Sequence, residues 1–335
     1  MTVRDFPSSA TCYAEPNGRV RPKAVARLEN STLDETVSAF PVTICARARR
    51  MTYEILKIRC AATAIVLALA AAMTANAATL MEARKAYSTH LVVSVKAPQE
   101  YAYSSVPNGA QEVTYASGAL RLKGWLSTAR PGKVSPAIVF LHGGFAMDAG
   151  DWAVGQQLVK EGYIVFMPQL RAENGNAGSF EMFGGEVDDA IAAGVYLQGV
   201  PGVDPKRVYV VGHSVGGSLA ILAAQMPSPY KASASLSGFA RLTEWIDHFP
   251  RIVPFDLKNA NERAIRDPYL YVTSVQVPLF MFTEVANSYA VEANETFCQT
   301  VNETSSCRHT VIKGDHQTMI EPAIRATVAQ FRSLP

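Results

Sequence analysis

From about residue 110 onward, short apolar runs alternate with stretches of helical spacing. Ala137–Leu141, Tyr163–Met167 and Pro278–Phe282 are almost continuously apolar, as expected of strands covered on both faces. Arg207–Val211, Ala232–Leu236 and His309–Ile312 read as further strands, and Glu112–Tyr115 and Ala119–Ser127 as an antiparallel hairpin turning at Ser117-Gly118. Helical spacing fills the gaps at Asp151–Lys160, Gly185–Leu197, Gly217–Ala224, Val291–Val301 and Ile320–Arg332. Strands alternating with helices of this length predict an α/β fold with a mostly parallel central sheet and helices on both faces. The stretch Gly238–Val277 interrupts the alternation after the sixth strand. Its two helical patterns, Arg241–Phe249 and Asn259–Arg266, predict a small helical insert. There is no internal repeat. Residues 111–335 form one domain, preceded by a polar, mixed segment over 78–110 with a short helix near Leu80–Ala86.

The residues before Ala78 are of another kind. Residues 1–50 scatter Arg4, Arg19, Arg21, Arg27, Arg47, Arg49 and Arg50 among prolines without periodicity, and are expected to be an upstream extension, disordered if translated. Met51 opens a different pattern. Lys57 and Arg59 precede the apolar run Ala61–Ala72, and Ala75-Asn76-Ala77 follows as a small-residue cleavage site. Residues 51–77 therefore read as a signal peptide. The apolar run is too short to span a bilayer comfortably, so no membrane anchor is expected to remain after cleavage. A secreted or periplasmic protein is the expectation.

Cysteine usage fits export. Cys12, Cys45 and Cys60 fall in segments expected to be lost, leaving Cys298 and Cys307 as the one possible pair in the mature chain, and a disulfide between them is expected. The net charge of +2, with 18% charged residues, carries no basic patch interleaved with aromatics, so nucleic acid is not an expected partner. Neither a cofactor nor a metal is called for. Oligomeric state is not legible.

The candidate chemistry centres on Gly212-His213-Ser214-Val215-Gly216, a G-x-S-x-G elbow between the strand Arg207–Val211 and a small-residue helix. A serine on such a turn is held above the sheet at a helix N-terminus, where developing negative charge is favoured. It needs a base. His316, in Gly314-Asp315-His316-Gln317 after the last strand, is the best placed; His213, His248 and His309 compete less well. The oxyanion donors are expected from the backbone N–H of Val215 and from the His142-Gly143-Gly144-Phe145 loop, Gly144 first and Phe145 second. The third member of the triad is expected just past Pro278–Phe282. Glu284 is the carboxylate nearest that strand end, and Asn287 is the alternative that orients the ring without balancing its charge. Glu292 and Glu295 fall on the following helix.

Val134–Gly144, Phe166–Gly175, Gly185–Ala192, Val203–Gly217 and Gly314–His316 together resemble the catalytic domain of the prolyl oligopeptidase family, over about residues 111–332. Dienelactone hydrolases and acyl esterases share that α/β-hydrolase fold. The resemblance implies Ser214 as nucleophile, His316 as base, and the glycine loop with Val215 as oxyanion hole. A dienelactone hydrolase would carry cysteine at the nucleophile, where this chain has serine. The family's oligopeptidases place a β-propeller ahead of the hydrolase, and none is expected between Ala78 and the sheet. The family's usual aspartate is also missing from Thr283–Ala290. The expected activity is that of an exported serine hydrolase acting on a small ester or acyl substrate through an acyl-enzyme. The alternatives are a serine peptidase lacking a propeller and a catalytically weak hydrolase fold used for binding. Trp245, Phe249 and Phe255 of the insert are candidate pocket walls.

Overall fold

The computed structural model describes residues 79–99, 105–128 and 132–335. The extension expected over residues 1–50 and the signal peptide over 51–77 lie outside them. The strands are β1 (Ala110–Ser117), β2 (Leu120–Ser127), β3 (Ser135–Leu141), β4 (Ile164–Pro168), β5 (Val203–His213), β6 (Ser233–Leu236), β7 (Leu279–Glu284) and β8 (Cys307–Ile312). They form one sheet in the order β1-β2-β4-β3-β5-β6-β7-β8. The pairings of β2 with β1 and with β4 are antiparallel; every pairing from β4 to β8 is parallel. The chain runs from β3 outward to β4, then returns to the other side of β3 as β5. That reversal opens a crevice beyond the carboxyl ends of β3 and β5, where ligands of open α/β sheets bind.

The helices are α1 (Leu80–Ala86), α2 (Ala149–Lys160), α3 (Gly185–Gln198), α4 (Val215–Ala224), α5 (Leu242–Asp247), α6 (Ala260–Ala264), α7 (Ser288–Val301) and α8 (Ile320–Ser333), with a 3-10 turn at Pro268–Ser274. The central strands explain their continuous apolar runs by burying both faces. Ala137, Val139 and Leu141 of β3 join Val208 and Val210 of β5 in a core with Val187 of α3 and Leu219 of α4. Ile138, Phe140, Tyr209 and Val211 point the other way, toward Trp152 of α2 and Phe331 of α8. Phe331 stacks on Tyr209 with ring centroids 4.4 Å apart.

Several element ends differ from the sequence expectation. β5 starts at Val203, where Ser135 pairs with it, and a bulge then shifts the register to Ala137 opposite Val208. Pro205 within that opening stretch hides it as a strand, because proline supplies no ladder donor. β7 extends through Glu284, which pairs with Ile312, so this residue ends the strand instead of following it. The N-terminal segment is bound to the insert. Tyr87 Oη (2.9 Å), Thr89 Oγ1 (2.5 Å) and His90 N (2.5 Å) all donate to the Glu262 carboxylate. Glu262 also takes a hydrogen bond from Arg266, whose wholly buried guanidinium lies 4.0 Å from the centroid of the Phe255 ring.

Cys298 on α7 and Cys307 at the start of β8 are joined by a disulfide, with Cα atoms 5.0 Å apart. Closing so short a loop stabilises by about 3 kcal/mol in the chain-entropy account. Among the described residues no helix is long and apolar enough to cross a membrane.

Candidate active site

Ser214 sits between β5 and α4 at φ 55°, ψ −116°, a conformation that costs a non-glycine residue about 1–3 kcal/mol. Main-chain contacts hold it there. Its N–H donates to Leu236 O (2.8 Å), its carbonyl accepts from Ser218 N (3.1 Å), and Gly216 N donates to His142 O (3.1 Å). A Cβ on Gly216 would run into the carbonyls of Leu141 and His142, and one on Gly212 into the carbonyl of Gly216. The elbow therefore closes only with glycine at both flanks. Ser214 is the N-cap of α4 but makes no side-chain cap, so its hydroxyl stays available above the first turn.

His316 follows β8 on a turn built by Asp315. The Asp315 carboxylate accepts from Gln317 N (3.0 Å), Thr318 N (2.9 Å) and Thr318 Oγ1 (2.9 Å). The imidazole lies beside the elbow, its centroid 4.9 Å from that of His213. His213 Nε2 donates to the His316 carbonyl (3.2 Å). Burial, with the neighbouring His316 ring, pushes His213 down to about 4, so His213 is uncharged at neutral pH. On its other edge His316 Nδ1 lies 3.2 Å from Glu284 Oε1. Glu284 is buried. Burial works to raise its pKa, but the hydrogen bonds from His316 and Ser237 bring it below the usual carboxylate value. Ser237 Oγ is 2.7 Å from Glu284 Oε2 and 2.7 Å from His316 Nδ1. Asn287, the alternative orienting residue, instead caps α7, its side chain accepting from Ala290 N (3.1 Å).

Across the crevice, Gly144 lies at φ 67° in the loop after β3. Among the described residues the Gly144 and Val215 N–H groups have no acceptor, whereas Phe145 N donates to Gln99 Oε1 (2.6 Å). Of the two loop donors, Gly144 is thus the one left open. His142 Nε2 pairs with Glu173 Oε2 at 2.9 Å, both side chains buried. Burial opposes charging of His142, yet the Glu173 carboxylate lifts its pKa to about 9. A cavity of about 10 Å³, room for one water, lies under this loop between Phe145, Glu173, Phe183, Glu186 and Val215. Glu186 Oε2 is buried there without a partner. Trp245 of the insert packs with its ring centroid 6.2 Å from that of Phe145 and 4.6 Å from that of Phe249. Phe255, under Arg266, belongs to the core instead.

The sequence reading passed over Ser237, Gln99 and Glu173. Ser237 carried one usable signal: it stands with Gly238 directly at the carboxyl end of a strand, where chemistry in open α/β sheets collects. Gln99 and Glu173 carried none, since each acts on a loop distant in sequence.

The model of the Alpha/beta hydrolase family matches residues 138–306. An uncharacterized peptidase of Bacillus subtilis, YtmA, is 33% identical over 115 residues, 33% of this chain and 44% of that protein. This chain therefore spans less than half of that relative. Among solved structures, the Pyrococcus furiosus esterase Pf2001 superposes with a TM-score of 0.57 at 18% identity, over 73% of this chain and 98% of the esterase. The Pyrococcus horikoshii acylaminoacyl peptidase gives a TM-score of 0.54 at 21% identity, over 66% of this chain and 40% of the peptidase.

Proposed function

Since the chain belongs to the alpha/beta hydrolase family, we propose that it is an exported serine hydrolase that cleaves carboxylic esters through an acyl-enzyme. One observation carries the reading: next to the strained elbow that bears Ser214 lies an imidazole, packed on His213, whose Nδ1 meets a buried carboxylate at 3.2 Å. Ser214 Oγ adds to the ester carbonyl as His316 Nε2 takes its proton. The Gly144 and Val215 N–H groups receive the oxyanion, and Glu284 stabilises the imidazolium. His316 then protonates the leaving oxygen, the alcohol departs, and water repeats the sequence to release the acid. The Cys298–Cys307 bond supports an oxidising compartment.

Peptide cleavage is the second reading, favoured by the 33% identity to a protein described as a peptidase. Both readings require a reactive serine, and a binding protein does not. A fluorophosphonate probe should label the wild type and not Ser214→Ala. Hydrolysis of p-nitrophenyl acyl esters should fall by at least about a thousandfold in that variant. Faster turnover of aminoacyl p-nitroanilides than of the esters would move the assignment to peptidase. Equal labelling of both proteins would overturn the site.

A further inference from the structure

Ser237 stands where three strand ends meet. It follows β6 directly, its N–H donates to Phe282 O of β7 (2.7 Å), and the residue before it, Leu236, accepts the Ser214 N–H through its carbonyl (2.8 Å). Its backbone is left-handed, at φ 54°, a conformation that glycine adopts freely and a serine does not. What serine adds over glycine is the hydroxyl. That hydroxyl lies 2.7 Å from the Glu284 carboxylate and 2.7 Å from His316 Nδ1, whereas the direct contact between Nδ1 and Glu284 is 3.2 Å. The bridge is shorter than the direct link on both of its sides.

We propose that Ser237 is a positioning residue of this site, whose hydroxyl couples Glu284 to His316 and holds the ring as the Nδ1–H tautomer. The assignment of protons follows from the partners. An ionised carboxylate only accepts, so Ser237 O–H donates to Glu284 Oε2. Its one proton is then spent, and Oγ accepts from Nδ1–H. The proton on Nδ1 leaves Nε2 bare, on the edge that the acyl-transfer reading requires as base. When Nε2 takes the Ser214 proton, the imidazolium keeps its Nδ1–H bonds to Ser237 and Glu284 throughout, with no group having to move. The other titratable groups facing the ring are His213, from β5, and Asp315, on the same turn. His213 is uncharged above about pH 4, so Glu284 and Asp315 are the charges that act on the imidazolium at neutral pH.

The role rests on the proposed acyl transfer, but it can be read without turnover. Ser237→Ala and Ser237→Gly both remove the hydroxyl, and the glycine variant also suits the backbone, so it keeps the test valid if the alanine variant folds poorly. In ester hydrolysis both should lose ten- to a hundredfold in kcat with KM within twofold, and the acid limb of the pH profile should move down by at least half a pH unit. In protein labelled with ¹⁵N-histidine, the His316 signals, assigned with His316→Gln, should show the Nδ1–H tautomer in the wild type. Ser237→Gly should give a mixture, with the ring titrating at lower pH. A glycine variant with wild-type kcat and an unchanged His316 titration overturns the proposal, because the residue then matters only for the chain path. An upward shift overturns it too, since the hydroxyl would be separating the pair. If the wild type shows no turnover dependent on Ser214, the acyl-transfer reading fails, and the ¹⁵N titration alone decides the role of Ser237.

Discussion

Ser214 is held by main-chain atoms, whereas His316 is held by side chains. Around the serine, Leu236 O accepts its N–H, and the carbonyls of Leu141 and His142 leave room for glycine alone at Gly216. Around the histidine, Glu284, Ser237, Asp315 and His213 each contribute one side-chain group. The first construction tolerates no added atom, yet it is indifferent to the chemistry of its neighbours. The second keeps its shape through substitution but changes its chemistry with every exchanged group. Removing a piece of the serine side should therefore cost the fold, and removing a piece of the histidine side should cost the rate.

The severest test of that contrast is Gly216→Ala. The new Cβ meets backbone carbonyls that cannot rotate away, and the expected loss is about 4 kcal/mol or more. Thermal unfolding should show a steep fall in Tm along with lost probe labelling; an unshifted Tm would break the comparison. Next comes Glu284→Gln. It should lower kcat by about a hundred- to ten-thousandfold while circular dichroism and Tm stay close to wild type. Asn287→Ala, by contrast, should cost about 1 kcal/mol of stability through the lost helix cap and leave kcat near wild type. If the two outcomes are exchanged, Asn287 is the orienting group.

A further test sharpens the boundary between the halves. His213 belongs to the elbow sequence but supports the His316 turn, and burial holds its pKa near 4 against an ordinary 6.5. Between those values the unfolded chain binds more protons than the folded one. Stability should therefore rise with pH from about 4 to 6.5 and fall on acidification, by at most about 3 kcal/mol from this residue. His213→Gln should flatten the Tm profile across that window. A profile as steep as wild type would assign the acid sensitivity to other groups.

The contrast also explains what was legible in the chain. The central strands announced themselves, because burial on both faces leaves a mark at each position, as in Ala137–Leu141, while the Pro205 end of β5 stayed hidden. The elbow was equally plain, since backbone crowding demands particular residues at fixed spacing. The imidazole side was legible only in part. His316 and Glu284 were read from where strand ends must fall, with the boundary of β7 misplaced because Thr283 and Glu284 are polar yet buried. Ser237 offered its place at a strand end and no more, for its meaning lies in Glu284 and His316 of other elements, and local pattern holds no record of that meeting. Gln99 shares that condition, defined by the distant Phe145 N–H, and Glu173 does so in part, its carboxylate serving both the nearby Leu170 N–H and the distant His142.

The strand order carries one more consequence. β5, which bears Ser214, lies inside the sheet, while β8, which leads to His316, is the outermost strand on its side. Edge strands exchange their amide hydrogens through local openings that cost far less than global unfolding. Fraying of β8 from β7 would carry His316 away from Ser214 with β3 and β5 still paired. Under the proposed acyl transfer, mild heat should therefore silence such a molecule reversibly, before any melting transition is visible. The Cys298–Cys307 bond anchors the far end of β8 to α7, which shortens the stretch free to fray. Under reducing conditions that anchor is lost, and the temperature range between silence and melting should widen.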